Sequence, residues 1–150
     1  MSRRRSLKFA DVDAVAVDVT HLRMGCTKSG NWSLPQACWH LCKAVDFSMR
    51  PGPWDPAKSG LVPWLQRRII LLVGRFPEGV NAPDRVVPQA NTPDSAVDEF
   101  LQSLQKLKEF KGEFAPHPRL GNVGHDDFIR LHLIHSAHHL SFLWPTKSHG

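Results

Sequence analysis

Apolar residues recur at helical spacing in four stretches of the chain, and these stretches predict four amphipathic helices. The first runs from Asp11 to Met24, with Asp11 as its N-terminal cap and Gly25 as its stop. Its apolar positions are Val12, Val15, Val19 and Leu22. Valine is a poor helix former, and Val and Ala alternate with Asp from Asp13 to Val19, so a β-strand is the alternative there.

The second stretch carries the clearest helix pattern. Ser33 followed three residues later by Gln36 is a capping-box sequence, in which each residue's side chain binds the backbone N–H of the other. The helical stripe that follows consists of Leu34, Ala37, Cys38, Leu41, Val45 and Met49. The spacing therefore predicts a helix that begins after Ser33 and continues to about Met49.

Two more helices are predicted in the second half of the chain. Thr92 and Pro93 provide a cap and a first-turn proline for the third helix, which Gly112 closes. Its apolar positions are Val97, Phe100, Leu104 and Leu107. The fourth helix is expected from about His125 to Leu143, with acidic residues in its first turn and Pro145 after its end.

The segment between the second and third helices is rich in proline. Eight of the twelve prolines lie between Pro51 and Pro93, which excludes one long helix or strand. Pro63 to Arg75 can hold one short helix packed across the others, and the remainder is expected to be an irregular crossover. Four helices with one long crossover predict an all-α fold, a single four-helix-bundle domain over residues 1–150 with a non-sequential arrangement.

Length and charge narrow the class of protein. A chain of 150 residues can bury enough surface to fold without disulfides or a structural metal, so a metal site would be functional. The formal net charge of +5 is modest, and no groove-reading motif or zinc-finger spacing accompanies it, so no nucleic-acid partner is expected. The longest aliphatic run, Ile69 to Val73, is far too short to cross a membrane.

The N-terminus and the cysteines indicate a cytoplasmic protein. Arg3, Arg4 and Arg5 resemble the start of an export signal, but acidic residues interrupt the apolar stretch that export requires. The chain has three cysteines, an odd number without the spacing of a disulfide framework. Two of them, Cys38 and Cys42, fall on the apolar stripe of the second helix and are expected to be core residues.

Histidines are concentrated in the fourth helix, where five of the nine lie between His125 and His139. Residues four apart lie on one helix face, so His135 and His139 can direct a ring nitrogen towards one metal ion. Metalloprotease helices place a glutamate directly after the first of two such histidines, whereas Ser136 follows His135 here. That class of protease is excluded, and a polar helix face without metal is the alternative to a metal site.

Helical phase selects His139 rather than its neighbour His138 as the second ligand. At about 100° per residue, His139 lies about 40° from His135, whereas His138 lies about 60° away on the opposite side. His132 lies on the same side as His139, so these residues form one polar strip that can face inward. We therefore expect His138 to lie at the edge of the site.

A third ligand is needed, because two histidines leave an ion under-coordinated. His40 is the best candidate, since it lies midway along the second helix and small Ala residues one turn away leave room for an ion. Gln36 and His132 are candidates, by position alone, to orient the ligands. Three neutral imidazoles leave coordination positions open for water or substrate, as expected of a reactive site. The five tryptophans could line a ligand pocket, but they are more simply explained as anchors and core.

Three segments carry a pattern that extends over nearly the whole chain. They are GNWSLPQACWHL from Gly30 to Leu41, HPRLG from His117 to Gly121, and HSAHHL from His135 to Leu140. Together they resemble a bacterial family of unknown function within the DinB-like (DinB/YfiT) superfamily. The resemblance implies an up-down-down-up bundle of four helices and a metal site with one histidine on the second helix and two, four residues apart, on a later helix. The matching positions in this chain are His40, His135 and His139.

The characterised branches of that superfamily are metal-dependent enzymes that handle low-molecular-weight thiols, among them bacillithiol transferases and mycothiol-dependent maleylpyruvate isomerase. The resemblance therefore implies a divalent ion, zinc or nickel, a thiol such as bacillithiol, mycothiol or glutathione, and a small-molecule substrate. Phe128 stands where related chains often carry Trp, and Gly124 where a Ser or Asp cap is common. These departures concern packing and capping, and catalytic residues beyond the metal ligands have no assignable counterpart.

Three functions fit these observations. The first is a metalloenzyme that presents a thiol cofactor as thiolate to an electrophile. The second is a hydrolase that uses metal-bound water, whose pKa can fall to about 7 on zinc. The third is a non-enzymatic metal or small-ligand receptor, or one half of a homodimer.

Overall fold

The computed structural model describes residues 3–50, 60–77 and 84–146, and within them the protein is mostly helical. The helices are α1 (Val12–Arg23), α2 (Leu34–Ser48), α3 (Leu61–Val73), α4 (Ser95–Glu109) and α5 (His125–Leu140). Two short strands, β1 (Cys26–Lys28) and β2 (Leu143–Pro145), form an antiparallel sheet, and Asp84–Val86 is a single turn of 3₁₀ helix.

The helices α1 and α2 begin as their sequences predict. The Asp11 side chain accepts a hydrogen bond from the backbone N–H of Ala14 at 2.8 Å. At α2, Gln36 Oε1 accepts from the Ser33 N–H at 2.8 Å and Ser33 Oγ accepts from the Gln36 N–H, so the capping box is complete. The buried positions of α1 are those that the helical spacing selects, and the alternative of a strand there is wrong.

The bounds of α4 differ from the sequence prediction at both ends. The helix begins at Ser95 with Asp94 as its cap, and it ends at Glu109. Thr92 does not cap it, because its hydroxyl donates to the Gln89 carbonyl at 2.6 Å and so closes a turn before the helix. The predicted apolar positions of α4 are nevertheless all buried.

The last helix is shorter than predicted. It ends at Leu140, and Leu143–Pro145, which includes the last residue assigned to it, forms β2. This strand pairs with β1, with Leu143 opposite Lys28 and Pro145 opposite Cys26. The pairing buries Leu143 almost completely, and this long-range interaction outweighs the local tendency to continue the helix.

A short helix, α3, lies in the proline-rich segment between α2 and α4, where the sequence predicts one short helix. It ends at Gly74, whose φ of 73° is the left-handed conformation that glycine adopts at helix ends. The helix packs against α5, where the Arg130 side chain donates to the Leu71 carbonyl at 2.9 Å. The predicted irregular parts at 51–59 and 78–83 lie outside the described residues.

Most of the core lies between four helices, and Ile70 and Leu71 of α3 also belong to it. Helix α4 packs against α1 and α2, and α5 packs against the same two helices. Phe100 is fully buried at the centre, and Cys38 and Cys42 are core residues as their positions on α2 predict. No helix in the described part of the chain is long and apolar enough to cross a membrane.

Ser33→Ala is expected to lower the free energy of unfolding by about 1 kcal/mol, because the N–H groups at the start of α2 lose a capping oxygen. Urea denaturation measures the loss. Ser95→Ala is the matched control, since the Ser95 hydroxyl is exposed and makes only a 3.5 Å contact with Glu99. An equal loss from both variants would show that the capping box does not stabilise α2.

Candidate metal centre

Three histidines converge where α2 packs against α5. His40 lies in the middle of α2, and His135 and His139 lie one turn apart near the end of α5. The Nε2 atom of His135 is 3.1 Å from Nε2 of His40 and 3.1 Å from Nε2 of His139. The structure therefore brings together the three residues selected from the sequence, with all of their nearest ligand atoms within 4.8 Å of one another.

The geometry of this cluster fits a divalent metal ion. Zinc binds imidazole nitrogen at about 2.0–2.1 Å, so two ligands on a tetrahedral ion lie roughly 3.3 Å apart, close to the two 3.1 Å separations. Imidazole is a good ligand for zinc and nickel alike. Among the described residues the group contains three such side chains, which leaves further coordination positions for other ligands.

A backbone carbonyl fixes the orientation of His40. Its Nδ1 donates a hydrogen bond of 2.7 Å to the carbonyl of Val86, in the 3₁₀ turn. Because the Nδ1 atom carries the proton, the Nε2 atom of the neutral ring presents a lone pair to the centre of the cluster. No sequence pattern points to this carbonyl, which lies 46 positions along the chain.

Burial keeps the three imidazoles neutral. It lowers the pKa of His40, although the hydrogen bond to Val86 opposes this effect in part. The pKa values of His135 and His139 are also well below the usual histidine value, first because of burial and then because neighbouring histidines repel an added proton. A neutral imidazole is the form that binds a metal ion, so the three rings are already in the metal-binding form at neutral pH.

His138 is not one of the three clustered histidines, and its ring contacts the N-terminal segment. Its Nδ1 accepts a hydrogen bond of 3.2 Å from Arg4. Its ring is nearly perpendicular to that of His139, with 4.8 Å between the ring centroids. This arrangement agrees with the helical phase that favours His139, and the metal-binding role itself stays a prediction.

Gln36 and His132 do not orient the three histidines, contrary to the expectation from position. The amide of Gln36 is engaged in the capping box and donates to the Gln89 carbonyl at 3.1 Å. His132 lies one turn before His135 and is 2.8 Å from the Ser48 hydroxyl. Ser48 donates its own proton to the Val45 carbonyl, so His132 is the donor in this pair.

Two aromatic side chains enclose the cluster. Trp32 stacks on His139 with 5.0 Å between ring centroids and lies 4.9 Å from His40. Phe76 contacts His135 edge-on at 5.5 Å. For Trp32 the favoured interpretation as an anchor or core residue is therefore wrong, and the alternative of a pocket-lining residue applies. The one sequence feature that could have selected it is its position directly before the Ser33 cap.

The three histidines form part of the wall of a large cavity of about 1620 Å³. The described lining comes from α2, α3 and α5 and from the segments around the 3₁₀ turn and residues 115–120. It also includes Trp32, Phe76 and His132. A ligand in this cavity can reach the open side of the cluster.

Fold and site together define a mostly helical protein with a three-histidine cluster that could hold a metal ion. A family model described as "protein of unknown function (DUF1569)" matches residues 1–146, and the chain belongs to this family. No curated protein and no solved structure matches the chain significantly.

Without metal, the His132→Leu variant is expected to lose less stability in acid than the wild-type protein. Burial lowers the pKa of His132 to about 3, whereas the unfolded chain binds this proton at about pH 6.5. Unfolding therefore takes up a proton at His132 below about pH 6.5, and this residue alone lowers the free energy of unfolding by roughly 2 kcal/mol between about pH 7.5 and about pH 5. Urea denaturation at these two pH values should show a fall that is roughly 2 kcal/mol smaller in the variant than in the wild type, because the other buried histidines contribute to the fall in both proteins.

The control for this prediction is His21→Gln, at an exposed position on α1. This variant should show the same difference in the free energy of unfolding between the two pH values as the wild type. If His132→Leu retained the full difference, burial of a neutral His132 would not be its cause.

Proposed function

We propose that this chain is a metal-dependent enzyme in which His40, His135 and His139 hold a divalent ion, zinc or nickel, and in which a low-molecular-weight thiol is transferred to an electrophile. The observation that carries the proposal is the convergence of the three Nε2 atoms at the wall of a cavity large enough for both molecules. A purely structural metal site would be closed by a fourth protein ligand.

The helix packing supports membership of the DinB-like superfamily as part of this proposal. Helices α1, α2, α4 and α5 form a ring of contacts in which each helix packs against two others. A four-helix bundle requires such a ring, and the proposed up-down-down-up connectivity would account for the long segment between α2 and α4. If the chain belongs to this superfamily, His40, His135 and His139 occupy the positions that the resemblance implies for its metal ligands.

Each part of the site has a distinct role in this proposal. The Val86 carbonyl holds His40 in the tautomer whose Nε2 can bind metal. Trp32 and Phe76 cover the imidazole faces and limit the access of water. When bound, the ion supplies a positive charge that favours the thiolate form of a thiol ligand.

The state of the chain's own cysteines supports an external thiol. Cys38 is fully buried, and burial raises the pKa of its thiol to about 12. Burial also raises the pKa of Cys42, which contacts the Ser103 hydroxyl at 3.2 Å. Protonated core thiols are poor nucleophiles, so a thiol nucleophile would come from a small molecule. All three cysteines are free, which supports a cytoplasmic location as part of the proposal.

The test is metal-dependent consumption of a thiol. Protein loaded with Zn²⁺ or Ni²⁺ is mixed with bacillithiol, mycothiol or glutathione and with an alkyl halide, an epoxide or a maleimide, and the loss of free thiol is followed. We expect turnover that requires metal and is lost in His40→Ala, with His138→Ala as the control. If no combination is turned over, thiol transfer is wrong.

Hydrolysis is the competing outcome of the same experiment. An enzyme that uses metal-bound water should cleave ester or amide substrates without added thiol. Metal-dependent cleavage under those conditions, with no thiol consumed, would replace thiol transfer as the function of this centre.

A further inference from the structure

The cavity beside the three histidines carries an excess of positive charge. Among the described residues its lining contains five cationic side chains and only two carboxylates. The cationic residues are Lys43, Arg50, Arg75, Arg85 and Arg119, and the acidic residues are Asp46 and Asp84. The ratio of cationic to acidic side chains is higher here than in the whole chain, where 19 Lys and Arg stand against 14 Asp and Glu.

This charge is not neutralised by ion pairs within the described part of the chain. The salt bridges of Arg and Lys there involve Arg5, Arg23 and Lys108, and none of these residues lines the cavity. The Asp46 carboxylate accepts a hydrogen bond of 2.6 Å from Ser103, on α4, so it is engaged between helices. Unpaired arginines in a partly enclosed cavity attract anions.

Two of the arginines directly precede, in the sequence, a residue that contacts one of the three histidines. Arg75 precedes Phe76, which contacts His135, and Arg85 precedes Val86, which binds His40. Both arginine side chains are exposed and line the cavity.

The position of Arg85 sets a length for the ligand. Its guanidinium carbon lies 5.5 Å from the ring centroid of Phe47, another residue of the cavity wall. Phe47 follows His40 by seven residues on α2, which corresponds to roughly 10 Å along the helix axis. The acid group and the reacting end of a ligand would therefore be separated by about this distance.

We propose that Arg85, together with Arg75, binds the carboxylate or phosphate of an organic acid whose other end reaches the three histidines. Arginine suits this role because its planar group can bind two oxygens of one acid group at once. The apolar part of the ligand lies against Phe47 and Phe76. The inference rests on the proposed metal centre and adds the class of molecule that it accepts, an elongated organic anion.

The test compares two thiols that differ in one end group. Binding of ω-mercaptohexanoate and of ω-mercaptohexanol to Co²⁺-loaded protein is followed by the change in the visible spectrum of the cobalt. We expect the acid to bind at least about tenfold more tightly than the alcohol, as one charge-assisted pair supplies. Arg85→Gln should remove this preference without changing the affinity for the alcohol, and Arg85→Lys should restore part of it.

Arg23→Gln is the matched control, because Arg23 is exposed, pairs with Asp98 at 2.7 Å and does not line the cavity. It should retain the full preference for the acid. A third probe, the phosphate monoester of ω-mercaptohexanol, decides which acid group the site prefers, and tighter binding of either acid than of the alcohol supports the proposal.

Failure of the two proposals gives different results. If Co²⁺ binds but the acids and the alcohol bind equally, the acid-binding site is wrong and the metal centre stands. If Co²⁺ does not bind, the metal centre is wrong, and the same probes are then titrated into metal-free protein by calorimetry. A preference for the acids that Arg85→Gln removes would still support the acid-binding site, and equal binding would overturn it.

Discussion

His139→Ala is expected to lower the affinity for Zn²⁺ by at least about a hundredfold, whereas His138→Ala should change it by no more than about tenfold. The Nε2 atom of His139 faces that of His135 at 3.1 Å, so its loss removes one of three ligands. His138 contacts Arg4, and its loss removes only a side chain that lies beside the imidazole of His139. Competition with a chelating dye at about pH 7.5 measures both affinities.

The two variants form a matched pair, because they remove the same side chain at adjacent positions of one helix. His40→Ala and His135→Ala should behave like His139→Ala. Equal losses from His138→Ala and His139→Ala, or a larger loss from His138→Ala, would show that the wrong member of the pair has been assigned as ligand.

The metal affinity should hold as the pH falls from about 7.5 to 6.5 and should decrease only at lower pH. Protons compete with the ion for each imidazole, and burial lowers the pKa of all three histidines. The imidazoles therefore stay neutral to a lower pH than free histidine, and the decrease begins below the ordinary value of about 6.5. Once all three imidazoles take up protons, the metal affinity should fall by up to about three orders of magnitude per pH unit.

Titrations with Zn²⁺ at intervals from about pH 7.5 to about pH 4.5 measure this dependence. A variant that keeps two of the three ligands, such as His139→Ala, should show a shallower slope, because fewer protons compete with the ion. An affinity that stays constant over the whole range would be incompatible with three histidine ligands.

Local sequence patterns predict the features of this protein that depend on residues close together in the chain. The cap of α1 at Asp11 and the capping box of α2 follow from residues three apart, and both form as expected. Helical phase also explains why His135 and His139 share a face and His138 does not. Helical phase does not connect these two residues with His40. That prediction depends on the need of an ion for a third ligand and on the position of His40 on α2 beside small residues.

Contacts between distant segments could not be predicted in this way. The pairing of β2 with β1 follows the end of α5 at Leu140, and the sequence around Leu143 does not show that its partner lies at Cys26–Lys28. The Val86 carbonyl that orients His40 is a backbone group, which every residue has, so no residue type marks it. The positions of Trp32 and Phe76 at the cluster likewise depend on how loops close over helices.

Metal analysis of protein purified without an affinity tag will show whether His40, His135 and His139 hold a metal ion. Elemental analysis should find about one equivalent of zinc or nickel per chain, or the metal-free protein should take up that amount when either ion is added. His40→Ala purified in the same way should contain far less. A wild-type protein that is free of metal and binds neither added ion would show that the three histidines do not form a metal site.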